Sequence, residues 1–183
     1  GLRLAEHTAY TRRFGGTPLF SEAYGASVGW VTPGAELHLT GFVHDRWQDS
    51  IEDGDGAALY AEKRFGKIAV GAEARYANGA EDVRTQGGAT AKLWLDGPAV
   101  LLSAEAQVVH QTFDAGGKRN QAVAYLLASW FFAHSYFLDV GLGHYDEDVK
   151  VPDVDRDTVE VNLHWFPKTH MELVLMGRLQ MIA

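Results

Sequence analysis

The sequence predicts an all-β fold, an antiparallel up-and-down meander. Two observations carry this reading. Apolar residues recur with period 2 along nearly the whole chain, and turn-forming connectors interrupt the alternation so that short and long ones follow each other in turn. Successive side chains of a strand point to opposite faces, so period 2 describes a sheet with one apolar and one polar side.

Taken in chain order, residues 2–12 and 21–31 are strand-like, with less regular faces. In 35–46, Leu37, Leu39 and Val43 oppose His38, Thr40, His44 and Arg46. In 57–65, Leu59, Ala61 and Phe65 oppose Tyr60, Glu62 and Arg64; in 68–77, Ile68, Val70, Ala72 and Ala74 oppose Gly71, Glu73 and Arg75. In 88–95, Ala89, Ala91, Leu93 and Leu95 oppose Thr90 and Lys92; in 98–111, Leu102, Ala104, Ala106 and Val108 oppose Ser103, Glu105 and Gln107. Segment 119–132 is also strand-like with less clear faces, and in 136–145 Leu138, Val140 and Leu142 oppose Asp139, Gly141 and Gly143. The clearest pair closes the chain. In 156–166, Val159, Val161, Leu163 and Trp165 oppose Glu160, Asn162 and His164; in 170–182, Met171, Leu173, Leu175, Leu179 and Met181 oppose Glu172, Arg178 and Gln180. The total is about eleven strands of about ten residues.

Short connectors fall at 32–34, 66–67, 96–98, 133–135 and 167–169, with Gly or Pro at four of them. Longer ones fall at 14–20, 48–56, 78–87, 113–118 and 146–156. An up-and-down meander whose two ends face different surroundings has this order; Greek-key crossings do not keep it. Between Arg119 and Asp139 no charged residue occurs, long enough for a membrane helix. Asn120, Gln121, Ser129, His134 and Ser135 interrupt it, and two strands meeting at Ala133-His134-Ser135 fit the rest of the chain better.

The composition narrows the function. The chain has 183 residues, Lys plus Arg 16 against Asp plus Glu 24, a net charge of -8 and no basic cluster, which argues against nucleic acid as a partner. Without cysteine there is no disulfide framework, thiolate metal site or thiol nucleophile. No Walker, GxSxG, HExxH or dinucleotide motif occurs, so neither an enzyme nor a cofactor is expected. Ser103, His110 and Asp139 are the residue types of a hydrolase triad, but His110 falls on the opposite parity from Ser103. His38 and His44 share a face at roughly 20 Å, too far apart for one metal. The loop Glu52-Asp53-Gly54-Asp55-Gly56 resembles part of a calcium loop without its closing Glu, and reads as a hydrated acidic loop; divalent bridging to lipopolysaccharide stays open. No metal site is expected.

Two arrangements satisfy the alternation: a soluble barrel or sandwich with the apolar face inside, or a membrane barrel with that face on lipid and the charged face lining the lumen. A meander of about eleven strands closes into a barrel too wide to fill with Ala, Leu and Val. Its apolar face is rich in Ala (Ala72, Ala74, Ala89, Ala91, Ala104, Ala106). Aromatics gather near strand ends (Trp30, Trp47, Phe65, Tyr76, Trp94, Trp130, Phe131, Tyr145, Trp165, Phe166), as in a membrane girdle at both boundaries. The long connectors are acidic and the opposite turns tight. The expectation is a transmembrane antiparallel up-and-down β-barrel.

The stretch VEVNLHWFPKTHMELVLMGRLQ, residues 159–180, resembles the closing hairpins of bacterial outer-membrane porins, including the phosphate-selective porin family: an Asn, an aromatic pair, a Pro-containing turn and a new alternating strand. The resemblance covers about twenty residues. It implies an even-numbered barrel of about 12 or more strands in the outer membrane. One domain, 1–183, is expected, with at least one C-terminal strand missing because Gln180-Met181-Ile182-Ala183 lacks a terminal aromatic. The start at Gly1, with no leader segment, implies a removed signal or a missing beginning.

On the membrane reading the lumen-facing charges are the site: the cations Arg46, Arg64, Arg75, Lys92 and Arg178, and the anions Glu62, Glu73, Glu105, Asp139, Glu160 and Glu172. Glu62/Arg64 and Glu73/Arg75 are expected to cross-pair on neighbouring strands. Three functions remain open: a porin-like channel for small polar solutes or ions; a structural barrel that sheathes or anchors a protein partner such as a lipoprotein, a plug or an electron-transfer protein; and a soluble all-β binding domain. Expected partners are membrane lipid, lipopolysaccharide and small polar solutes, with a protein partner or a homo-oligomer also open.

Overall fold

A computed structural model describes residues 23–44, 54–133, 135–152, 155–168 and 171–182. They form ten strands and no helix: β1 (Ala23–Val31), β2 (Ala35–His44), β3 (Gly54–Phe65), β4 (Ile68–Gly79), β5 (Asp82–Leu95), β6 (Val100–Phe113), β7 (Lys118–Ala133), β8 (Tyr136–Asp146), β9 (Asp155–Lys168) and β10 (Met171–Ile182). All lie in one antiparallel sheet in chain order. Each strand pairs with its sequence neighbours, and among the described residues β1 and β10 do not pair with each other. The strand expected at 2–12 lies outside the described residues.

The meander matches the period-2 reading. Two connectors do not match their expected length. The expected loop 78–87 is mostly strand: β5 starts at Asp82 and pairs Val83 with Asn78, leaving Ala80 and Glu81 as the turn. DVRTQGG looks loop-like because Val83 is its one apolar residue; cross-strand bonding to β4 and β6 overrides that local signal. The connector 113–118 closes in four residues, with Gly116 and Gly117 at φ 88° and 114°, a region glycine enters without Cβ strain. The acidic loop expected at 52–56 is corrected in its second half: Gly54, Asp55 and Gly56 belong to β3 and pair with Gly79, Asn78 and Ala77, while Glu52 and Asp53 lie outside the described residues. Apolar segment 119–132 is strand β7, not a membrane helix.

Burial separates the two faces. The register forms one outward row from Val70 through Ala91, Ala104, Leu126, Leu142 and Val159 to Leu179. Val70, Leu126, Leu142 and Leu179 of this row are 45%, 55%, 51% and 61% exposed. The opposite face is polar and enclosed: Arg84, Gln86, Glu105, Gln107, Asp139 and His164 are all buried.

Aromatics occupy mainly one edge of this sheet. Trp130, Phe132, Tyr136 and Trp165 form an outward row, with ring centroids 5.0, 6.1 and 6.0 Å apart in succession. They lie at the end where β7 turns into β8 and β9 into β10, and exposed Trp30 and Phe65 sit at the same short-turn edge. Tyr76 is the exposed ring at the far edge among the described residues. Trp94, Phe131, Phe137 and Phe166 share the polar face, in contacts of 5.8, 5.3 and 5.8 Å, and Tyr145 is buried. The expectation of outward rings at both boundaries is therefore corrected to one outward belt with an inward row behind it; Trp47 lies outside the described residues.

The polar face is crowded enough to need gaps. Tyr125 on β7 reaches Glu160 on β9 with a hydrogen bond of 3.2 Å, crossing β8 at Gly141. A Cβ on Gly141 would stand 2.1 Å from the Tyr125 hydroxyl. At Gly56 a Cβ would stand 1.9 Å from the Tyr76 carbonyl oxygen and 2.9 Å from the Phe42 ring, whereas Gly41 on the outward face has nothing within 4 Å. Gly56→Ala is expected to cost about 1–3 kcal/mol as an overpacking change, and Gly41→Ala to stay within about 0.5 kcal/mol. Unfolding of the two variants side by side in detergent checks the difference; equal stabilities would remove the steric account.

Candidate functional site

The inward face is the candidate site, and the register puts the predicted charges on it. Glu62 lies opposite Gly71, Glu73 opposite Gly88, Arg75 opposite Gln86, Lys92 opposite Ser103, Glu105 opposite Tyr125, Asp139 opposite Asn162, and Glu160 opposite both Gly141 and Arg178. Arg64 and Glu172 have the same parity on β3 and β10. Arg46 lies outside the described residues.

Strand register sets the partners, and they differ from the expected cross-pairs. Tyr60, not Arg64, stands opposite Glu73, and Arg75 stands opposite Ala58. Glu62 instead pairs with Lys92 at 2.5 Å, two strands away. The bridge passes over β4 where Ala69 and Gly71 leave the way clear, and the Tyr60 hydroxyl donates to the same carboxylate oxygen at 2.7 Å. The side chains of Glu62 and Lys92 are 9% and 13% exposed, so this pair is shielded more than a surface ion pair. Arg75 lies over the Phe42 ring at 4.7 Å, and Glu73 accepts from Gln86 at 3.3 Å.

Toward the short turns this wall opens into a cavity of about 590 Å³, lined in part by Glu36, His38, Glu62, Arg64, Lys67 and Lys92. Glu36 stands directly opposite Glu62. Opposed like charges repel across a sheet; Lys92 offsets one of them, and His38 approaches the other at 3.5 Å. On the rim, Lys67 pairs with Asp96, and its hydrogen bond holds the Asp96 carboxyl below its ordinary value. The middle of the wall is an amide and carboxylate chain: Gln86 donates to Gln107, and Gln107 to Glu105 at 2.6 Å. Near the other edge, Arg84 binds Asp82 at 2.6 Å, Gln111 donates to the same carboxylate, and Arg119 and Arg156 both reach Glu147, at 2.6 and 3.3 Å.

On β8 to β10, Glu160 pairs with Arg178 at 2.5 Å, and His164 sits between Asp139 and Glu172. His164, Tyr60, Glu36, Asp82 and Arg84 were missing from the predicted site. Parity placed His164 and Tyr60 on the polar face, but only the register gives them charged partners. On the outward face, His144, Asp155 and Asp157 bring one donor atom each within 4.8 Å of one another, with His144 Nδ1 2.8 Å from Asp157.

Ser103 and Asp139 are buried on the polar face, whereas His110 faces the other way and contacts Asn120 at 2.7 Å. The triad does not assemble, and the described residues form one ten-stranded antiparallel sheet. Comparison with protein-family models, curated proteins and solved structures finds no match to the chain.

The Glu62–Lys92 bridge makes a direct prediction. A double-mutant cycle with Glu62→Gln and Lys92→Met should give a coupling of about 1–3 kcal/mol, against near-additivity for Glu62→Gln with Arg75→Met. Thermal or denaturant unfolding of the variants in detergent measures both; coupling to Arg75 of the same size would contradict the register.

Proposed function

We propose that the chain forms the wall of a bacterial outer-membrane β-barrel of the porin kind, a channel for passive diffusion of small polar solutes or ions. One observation carries this reading: in a single-layer sheet the apolar face is exposed and the charged face is enclosed. A continuous apolar row across seven strands is larger than a soluble monomer ordinarily presents to water. Lipid is the solvent in which such a surface is stable and in which isolated outward charges would cost about 2–4 kcal/mol near the midplane. The outward row Trp130, Phe132, Tyr136 and Trp165 fits the interfacial position of amphipathic rings. The resemblance of residues 159–180 to porin closing hairpins points the same way.

The mixed-sign cavity beside Glu36, Glu62, Arg64 and Lys92 is the place where such a wall would act on a passing ion. A second reading, a barrel that sheathes a protein partner, is favoured by the middle of the wall, where Gln86, Gln107 and Glu105 are tied into one hydrogen-bonded chain.

Planar-bilayer recording of the purified full-length protein tests the pore. It should conduct, and Arg64→Gln with Lys92→Gln should leave Glu36 and Glu62 as local anions and raise cation preference. The rise should be larger at about 0.1 M than at about 1 M salt, where the screening length falls from about 10 Å to about 3 Å. An insulating protein would remove the pore reading in favour of the sheath. So would conduction indifferent to the double substitution, because the charges would then be wall structure only.

A further inference from the structure

At the long-loop end of β8 and β9 the outward face changes character. Along β8 the outward residues Val140 and Leu142 are followed by His144 and Asp146, and along β9 Asp155 and Asp157 precede Val159 and Val161. The register sets His144 opposite Asp157 and Asp146 opposite Asp155. Four side chains with metal-ligating atoms therefore occupy one patch of a face that is otherwise apolar. Three of them are carboxylates, and like charges directly opposed across a sheet repel. Lys150 on the connecting turn borders the same patch, but among the described residues no lysine or arginine forms an ion pair with Asp146, Asp155 or Asp157. The patch lacks the cation that would balance it.

Three of the four side chains converge. His144, Asp155 and Asp157 each bring one ligand atom within 4.8 Å of the other two. His144 Nδ1 and Asp157 Oδ1 are 2.8 Å apart. An ion about 2.0–2.1 Å from both, the ordinary distance of zinc from nitrogen or oxygen, would see them at close to a right angle, as neighbouring ligands of an octahedral or square site stand. His144 and Asp157 are exposed and Asp155 is half-buried, so small side-chain rotations bring in the third donor. Two further observations point to a ligand. A cavity of about 480 Å³ adjoins the cluster, between His144, Asp146 and Asp155 on the strands and residues 149–152 of the turn, with room for water or solute donors to complete a coordination shell. Asp146 Oδ1, on the wall of that cavity's residues, is enclosed and has no hydrogen-bond partner. An enclosed carboxylate oxygen without a donor is costly, and a neighbouring cation offsets that cost. Imidazole plus carboxylate favours zinc and its transition-metal neighbours over Mg²⁺ and Ca²⁺, which take oxygen ligands.

We propose that His144, Asp155 and Asp157 bind a divalent transition-metal ion, Zn²⁺ being the type case, on the outward surface at the long-loop end of β8 and β9. The ion replaces the direct contact between His144 and Asp157 and offsets the charge of Asp146 beside them. The protein supplies three ligands, and water in the adjoining cavity supplies the rest. The site does not depend on the pore reading.

The test uses the full chain in detergent after chelator treatment. Calorimetric titration with Zn²⁺ should show one site. His144→Gln, Asp155→Asn and Asp157→Asn should each abolish it, while His110→Gln, which removes a histidine of the neighbouring strand pair β6–β7, should leave it unchanged. Circular dichroism of the variants should match that of the unaltered protein, because the three ligands lie at the surface. Cu²⁺ bound to the unaltered protein should show hyperfine coupling to a single imidazole nitrogen in its paramagnetic resonance spectrum, a readout that stands even if a substitution prevents folding. Absence of Zn²⁺ binding, binding that survives folded His144→Gln, loss of binding in folded His110→Gln, or a Cu²⁺ spectrum without nitrogen coupling would each overturn the proposal and leave His144 and Asp157 as a surface ion pair only.

Discussion

The structure depends on one constraint: a single sheet must satisfy an entire charged face from within itself. An inward group bonds to its own strand or to strands one or two places away. That requirement makes register decisive. A slip of one residue between β4 and β5 would place Arg75 and Glu73 on the apolar side and Ala72 and Ala74 among the carboxylates. Hydrogen bonds to charged groups gain strength where water is excluded, and unmatched groups become costly in the same measure. The wall therefore holds its strands in register through side chains as well as through the backbone ladder.

That constraint also explains the longer reaches. Glu62 to Lys92 and Tyr125 to Glu160 each skip a strand, and each crosses a glycine or alanine position. Between skipped strands the Cα atoms are about twice the 4.7–4.9 Å interstrand spacing apart, within reach of a long side chain only when the intervening position is small. Small residues on the polar face thus determine which ions meet.

Much of the fold was legible in the sequence because most strands alternate regularly, as in Val159, Val161, Leu163 and Trp165, with Val109, Val123 and Leu127 buried on the other face as exceptions. The same parity assigned the charged residues to one face. It did not assign partners. Glu62 meets Lys92 rather than a charge on β4 because partner choice follows registers and gaps, which alternation does not encode. The first half of β5 was illegible for a different reason: Asp82 to Gly88 lacks an apolar face and is strand only through its neighbours. His164 gave a weak signal, one polar residue among aromatics, and its two carboxylates arrive from 25 residues before (Asp139) and 8 residues after (Glu172), brought together by the β8–β9–β10 register.

The glycine gaps have a consequence for how such a chain changes over time. An outward Leu or Val touches solvent or lipid and can drift to another apolar residue alone. An inward position cannot. Enlarging Gly141 is tolerable only if Tyr125 shrinks, and enlarging Gly71 only if Thr90 retreats, since each occupies the volume that the other lacks. Descendants of this sequence should therefore vary freely on one face, while on the other they covary in pairs, with a gain of bulk on one strand matched by a loss on the next.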